Sequence, residues 1–111
     1  MLGVGIDIVS IARMERVFSE AFKRRVFTDR EIAYAEGTDR PIPNYAMMFA
    51  GKEAVFKALG SGWVDGTMIE IGRDDRGQPS ASLHGVDEDV KEVFLSLAFE
   101  DEYAVAIALL S

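Results

Sequence analysis

Phe49-Ala50-Gly51-Lys52-Glu53-Ala54-Val55-Phe56-Lys57-Ala58-Leu59-Gly60 is the stretch that decides how the chain folds. It closes a helix that the residue pattern predicts from about Asn44 to Leu59, with Gly60 and Gly62 beyond it as stop signals. Phe, Met, Ala and Val stand on nearly every side of this helix. Such a helix is expected to be buried, and its few charges then need partners. Glu53 and Lys57 are four residues apart and share one helical face. Exposed, they would form an ordinary ion pair worth about 0.3–0.5 kcal/mol. In a buried helix they are candidates for chemistry.

Upstream, Leu2-Gly3-Val4-Gly5-Ile6-Asp7-Ile8-Val9 is β-branched and apolar and reads as a buried strand. Ser10 can cap a helix in which Ile11, Met14, Val17, Phe18, Ala21 and Phe22 recur at helical spacing, with Arg13 and Arg16 off that stripe. Thr28-Asp29-Arg30-Glu31 is a capping-box pattern that opens a short helix ending near Glu36-Gly37. Asp39 to Pro43 reads as a loop, because its two prolines do not suit a helix interior.

Downstream of Trp63, strands are expected at about Thr67–Ile71 and Ser80–Leu83, joined by the polar loop Arg73–Gln78. Asp87–Glu92 can make a helical turn or two. A second hairpin, Val93–Phe99 and Tyr103–Leu110 about the acidic turn Glu100-Asp101-Glu102, closes the chain. This order predicts an α+β fold with a mostly antiparallel sheet packed against helices. The strand–helix alternation of a doubly wound fold is missing.

At 111 residues and 12.2 kDa, residues 1–111 are expected to form one domain. Apolar residues at 49% and charged residues at 28% mark a globular composition. The lack of cysteine excludes a disulfide framework, a thiolate zinc site and a Cys nucleophile. No apolar run approaches the roughly 20 residues that span a bilayer, and the N-terminus lacks a signal-peptide pattern. The expectation is a soluble, cytoplasmic protein with no membrane partner. A net charge of −7 argues against a nucleic-acid partner. From Arg13 to Arg30, however, six basic residues face three acidic ones, so this segment is +3 and the remainder −10. Such an island is either a solvated helix face or a docking surface for an anionic partner.

Asp7 interrupts an apolar strand. Burying an unpartnered carboxylate costs several kcal/mol or forces it to take up a proton, so a metal, a cation or backbone N–H groups should compensate it. Asp7 and Glu53 together could hold a hard, oxygen-loving divalent cation, and magnesium suits two carboxylates with room for water and phosphate oxygens. The single histidine, His84, reads as a surface turn residue, and Met47-Met48 as core filling. Gly3-x-Gly5 lacks the remainder of a dinucleotide loop.

Gly5-Ile6-Asp7-Ile8-Val9 with Arg13, then Phe27-Thr28-x-x-Glu31, then Phe49-Ala50-x-Lys52-Glu53-Ala54-x-x-Lys57-Ala58-x-Gly60, resembles the holo-[acyl-carrier-protein] synthases. These are the short branch of the 4′-phosphopantetheinyl transferase family. Gly77-Gln78-Pro79 stands where the family usually has Gly-Lys-Pro, and Tyr103-Ala104-Val105-Ala106 is similar to its closing strand. The resemblance covers nearly the whole chain in order, and its specific part is the Lys-Glu-Ala-x-x-Lys-Ala block with the upstream Gly-Ile-Asp.

The resemblance implies transfer of the phosphopantetheine arm of coenzyme A to a serine of apo acyl carrier protein, releasing adenosine 3′,5′-bisphosphate. It implies Asp7 and Glu53 as ligands of magnesium (Mg2+) and Lys57 as the charge against the phosphates. Lys57, Gly60 and Pro79 would touch coenzyme A. Arg13, Arg16 and Arg24 would dock the acidic helix of the carrier protein, which gives the basic island a partner. A homotrimer with coenzyme A between subunits is implied as well. The base that takes the serine proton stays open between Glu53 and a metal-bound hydroxide, and the acyl pathway served stays open as well.

The chain also departs from the family pattern. Met48 stands where an arginine usually meets coenzyme A phosphates, Gln78 replaces a lysine, and Ala98-Phe99-Glu100 replaces Ser-His-Thr at the ribose phosphate. A lost charge-assisted contact costs about 1.5–3 kcal/mol, or about ten- to a hundredfold in binding. The metal end therefore reads as intact and the adenosine 3′-phosphate end as weakened. The alternative reading is a non-catalytic family member that binds a carrier protein or serves as a structural trimer subunit.

Overall fold

The computed structural model describes residues 3–85, Val90 and residues 92–111. Strand β1 (Gly3–Ser10) leads into helices α1 (Ile11–Val17), α2 (Glu20–Val26), α3 (Asp29–Glu36) and α4 (Pro41–Leu59). A 3₁₀ turn (Gly66–Met68) follows, then strands β2 (Ile69–Arg73), β3 (Pro79–Leu83), β4 (Val93–Phe99) and β5 (Tyr103–Leu110). Three strands form an antiparallel sheet in the order β1-β5-β4, and β2 pairs with β3 in a separate hairpin. The class is α+β with antiparallel pairing, and the closing hairpin has the bounds its sequence predicts.

α4 is buried on nearly all sides and lies against the inner face of the three-stranded sheet. Small residues on that face let it approach closely. Gly5 stands opposite Ala108, and Gly3 opposite Leu110. A Cβ on Gly5 would sit 1.9 Å from the Ala54 carbonyl oxygen, and one on Gly3 would sit 2.2 Å from that of Ala58. No larger residue fits at either position. Tyr45, Phe27, Phe56 and Ile69 fill the space between α4, α3 and the β2-β3 hairpin.

The structure corrects four expectations. β1 is not buried on both faces: its odd-numbered residues meet α4, while Val4, Ile6 and Ile8 are more than 60% exposed. The helix expected over Ile11–Phe22 is two helices. Ser19 caps the second through its Oγ, which accepts from Phe22 N at 3.0 Å. The break swings Phe18 onto Tyr45, with ring centroids 4.6 Å apart, and Phe22 onto Phe49 at 6.1 Å.

α4 starts at Pro41, three residues early, because both prolines fall in its first turn, where N–H groups lack intrahelical acceptors. The strand expected from Thr67 begins at Ile69, since Asp65 Oδ1 accepts from Thr67 N at 2.9 Å and caps a 3₁₀ turn first. The helical turn expected over Asp87–Glu92 falls largely outside the described residues. Among those described, no helix is long and apolar enough to cross a membrane.

Candidate active site

β1 carries Asp7 on its inner face, opposite Ala106 of β5, and α4 brings Glu53 and Lys57 to meet it. Lys57 Nζ donates to Asp7 Oδ1 at 3.0 Å and to the Ile6 carbonyl at 2.9 Å. The helical spacing of Glu53 and Lys57 suggests that they pair with each other. Among the described residues Lys57 instead reaches across to Asp7, because the strand lies one short step from that face of the helix. The Asp7 side chain is 15% exposed and that of Lys57 is 50% exposed, so the pair sits at the wall of a depression.

Asp7 and Glu53 both line a cavity of about 640 Å³, together with Ser10, Arg13, Phe49 and Tyr103. Burial pushes the Glu53 carboxyl above its ordinary value of 4.5, and the Asp7 charge pushes it further, with Lys57 opposing. A carboxyl held up by burial beside a second carboxylate is a natural seat for a divalent cation, which would relieve the repulsion. The donor set is hard oxygen only. Among the described residues no third carboxylate or histidine joins it. A cation held here keeps most positions for water or substrate oxygens, which suits magnesium.

The other candidate residues are spread more widely. Arg13 lies on the same cavity, its N–H bonded to Ser10 Oγ at 3.2 Å. Arg16 in the last turn of α1 and Arg24 on α2 are exposed, and the Arg24 guanidinium meets Asp29 at 3.3 Å. Gly60 ends α4 with φ of +79°, a left-handed residue just past Lys57. Pro79 opens β3 opposite Arg73 and is not part of the Asp7 cavity. Next to it, Ser80 lines a second cavity of about 420 Å³ with Met48, Arg30, Tyr34 and Arg73. Met48 is only 4% exposed on the floor of that cavity. The Arg40 guanidinium covers the Phe99 ring at 5.3 Å. His84 is exposed in a bend after β3, as expected of a turn residue.

Sequence reasoning did not single out Arg40, and it named Lys52 only within the family motif, without a role. Lys52 is fully buried and pairs with Glu31 at 2.7 Å. The available signal was a lysine inside a helix otherwise apolar all round.

A model of the 4′-phosphopantetheinyl transferase superfamily matches residues 3–108. The chain belongs to that superfamily. It is a transferase by class. The holo-[acyl-carrier-protein] synthase of Geobacter sulfurreducens is 38% identical over 122 aligned positions, covering 99% of this chain and 97% of the relative. That of Moorella thermoacetica is 41% identical, covering 98% and 93%. In three dimensions the chain is similar to the Neisseria meningitidis synthase, with a TM-score of 0.90, 30% identity and coverage of 98% and 97%. It is also similar to the Bacillus anthracis synthase solved in complex with CoA (3′,5′-ADP), with a TM-score of 0.84, 35% identity and coverage of 97% and 94%.

Proposed function

We propose that this chain is a magnesium-dependent holo-[acyl-carrier-protein] synthase acting as a single domain over residues 1–111. It moves 4′-phosphopantetheine from coenzyme A to a serine of apo acyl carrier protein and releases adenosine 3′,5′-bisphosphate. The observation that carries the reading is that Asp7 of β1 and Glu53 of α4 line one cavity, with the Lys57 ammonium paired to Asp7 at 3.0 Å. Phosphoryl-type transfer needs positioning and electrostatic stabilisation above all, and these groups supply both. Bound between Asp7 and Glu53, magnesium would neutralise and orient the pyrophosphate oxygens.

Lys57, tethered to the Ile6 carbonyl, keeps its ammonium beside the reacting phosphate and stabilises the charge that develops there. The base that takes the serine proton is either Glu53, whose carboxyl is raised by burial and by the Asp7 charge, or a hydroxide on the metal. Gly60 lets the backbone turn sharply beside Lys57, and with Pro79 it would border coenzyme A. Arg13, Arg16 and Arg24 stand on successive short helices and present the +3 island to the acidic carrier protein.

The same reading makes the active unit a cytoplasmic homotrimer. Val4, Ile6, Ile8, Phe94, Ile107 and Leu109 stand exposed on one sheet face, an apolar patch of the kind that marks an interface. A trimer would also let the hairpin bearing Pro79 serve the cavity of a neighbouring copy, since it does not reach the one in its own chain.

A second reading is a member that docks the carrier protein without transfer. It draws on the apolar character of Met48 and on Phe99 lying under Arg40. Incubation with coenzyme A, magnesium and apo carrier protein decides between the two. The expected result is the phosphopantetheine mass increment on the carrier. No increment at high coenzyme A, with carrier binding retained, would establish the second reading.

A further inference from the structure

Lys52 is the charge on α4 that this chemistry leaves unused. Its side chain and that of Glu31 on α3 are both 0% exposed, with Nζ and Oε1 2.7 Å apart. All three ammonium protons have acceptors: Glu31 Oε1, the Gly66 carbonyl at 2.7 Å, and the Ile69 carbonyl. Glu31 in turn accepts from Thr28 N at 2.9 Å through Oε1 and from Ile71 N at 2.7 Å through Oε2. The Phe27 ring covers the ammonium at 5.7 Å. One lysine tail therefore ties α4 to α3, to the 3₁₀ turn and to β2.

Stability alone does not account for this arrangement, since a buried ion pair often does no better than apolar residues of the same volume. Its distinctive effect is geometric. On one side α4 rests through Ala54 and Ala58 on the glycines of β1, and this contact leaves no slack. On another side Lys52 fixes it by three directional bonds. Glu53 is the next residue along the chain, and Lys57 lies four further on. A helix seated only by apolar side chains can roll or slide slightly at low cost. One fastened at both contacts cannot.

We infer that Lys52 and Glu31 are positioning residues for the site. Their clamp sets the roll and axial position of α4, and so the placement of Glu53 against Asp7. The inference rests on the reading of Asp7 and Glu53 as magnesium ligands. Groups that orient metal ligands from behind typically alter metal affinity by about 10- to 100-fold when removed.

The test is Glu31→Gln with Lys52→Met, a neutral pair of similar size in which Gln keeps an acceptor. On the full chain, a thermal melt reports folding and paramagnetic resonance reports Mn2+ binding. Activity yields kcat and KM, and amide exchange reports residues 53–58. A folded double variant with Mn2+ affinity lowered about 10- to 100-fold, lower kcat, an unchanged KM for carrier protein and faster exchange over 53–58 supports the clamp. Native Mn2+ affinity and kcat in a folded double variant overturn it. Should the double variant not fold, Glu31→Gln alone decides, and unchanged Mn2+ affinity there overturns the clamp. If the native protein shows no Mn2+ binding that Asp7→Ala removes, the metal reading falls instead. The clamp is then judged by exchange alone, and unchanged protection over 53–58 overturns it.

Discussion

The two faces of the β1-β5-β4 sheet share one alternation and have opposite fates. Inward, Gly3, Gly5 and Asp7 face α4 beside Ala104, Ala106 and Ala108 of β5, and the three alanines are at most 1% exposed. Outward, Val4, Ile6 and Ile8 stand beside Ile107 and Leu109, each more than 40% exposed. On β1 and along β5 up to Ala108 the small residues are inside and the large ones outside, the reverse of what side-chain apolarity alone would select, whereas Leu110 and the β4 leucines Leu95 and Leu97 turn inward. The inner face is built for close backbone approach, which is what brings a carboxylate on a strand to one on a helix. The outer face carries exposed apolar area, and in the proposed trimer a second copy of the chain would cover it.

Breaking the inner face has the largest expected effect. Gly5→Val places a branched side chain where even a Cβ stands 1.9 Å from a carbonyl oxygen, so α4 must lift off the strand. Overpacking costs about 1–3 kcal/mol where neighbours can yield and more where they are backbone, against a total stability of about 5–15 kcal/mol. Circular dichroism melts should show a grossly destabilised or unfolded chain. A near-native melting temperature would mean that the close approach is not required. Next, Asp7→Ala and Glu53→Ala leave the packing largely intact and should each lower transfer by about 10²–10³-fold or more, with loss of magnesium dependence. Full activity in either variant would remove that residue from the site.

On the outer face, Ile6→Asp with Ile107→Asp should convert a trimer into a folded monomer, each buried isoleucine being worth about 2 kcal/mol. Light scattering reads the mass directly. A native protein that is already monomeric would show that nothing covers this face.

The smallest effect is the pH dependence that Glu53 contributes. The Glu53 carboxyl is raised, so in the absence of divalent metal the fold holds its proton more tightly than the unfolded chain does. Stability should therefore decline as pH rises from about 4.5, the unfolded value, through the raised one. Divalent metal should oppose that decline and bind more weakly as pH falls through the same window. Melts with and without Mn2+ across pH 4–8 measure both trends, and Glu53→Gln should make them shallower, leaving the decline that the raised Glu31 carboxyl contributes with the same sign.

Much of this was legible in order along the chain. The closing hairpin could be read to the residue because two alternating runs flank a polar turn. Asp7 stood out as a charge in an apolar strand, and Glu53 and Lys57 as charges in an apolar helix. The break at Ser19 was hidden because Phe18 and Phe22 keep helical spacing across it. What decides between one helix and two is a side-chain cap together with the aromatic cluster beneath. Lys52 was visible as a motif residue but its role was not, because its four neighbours in the clamp, Glu31, Gly66, Ile69 and Thr28, lie 14 to 24 positions away in sequence.

Composition and local pattern by themselves determined the class of fold and the two carboxylates worth suspecting, because propensity, capping and periodicity act over a few residues, and the order of the motif residues carried the family likeness. Only the tertiary structure decided which face of β1 is buried, that Lys57 answers Asp7 and not Glu53, and that Lys52 fastens α4 from behind. Those outcomes depend on how closely two backbones approach, and the glycines that permit it act only on what lies across from them.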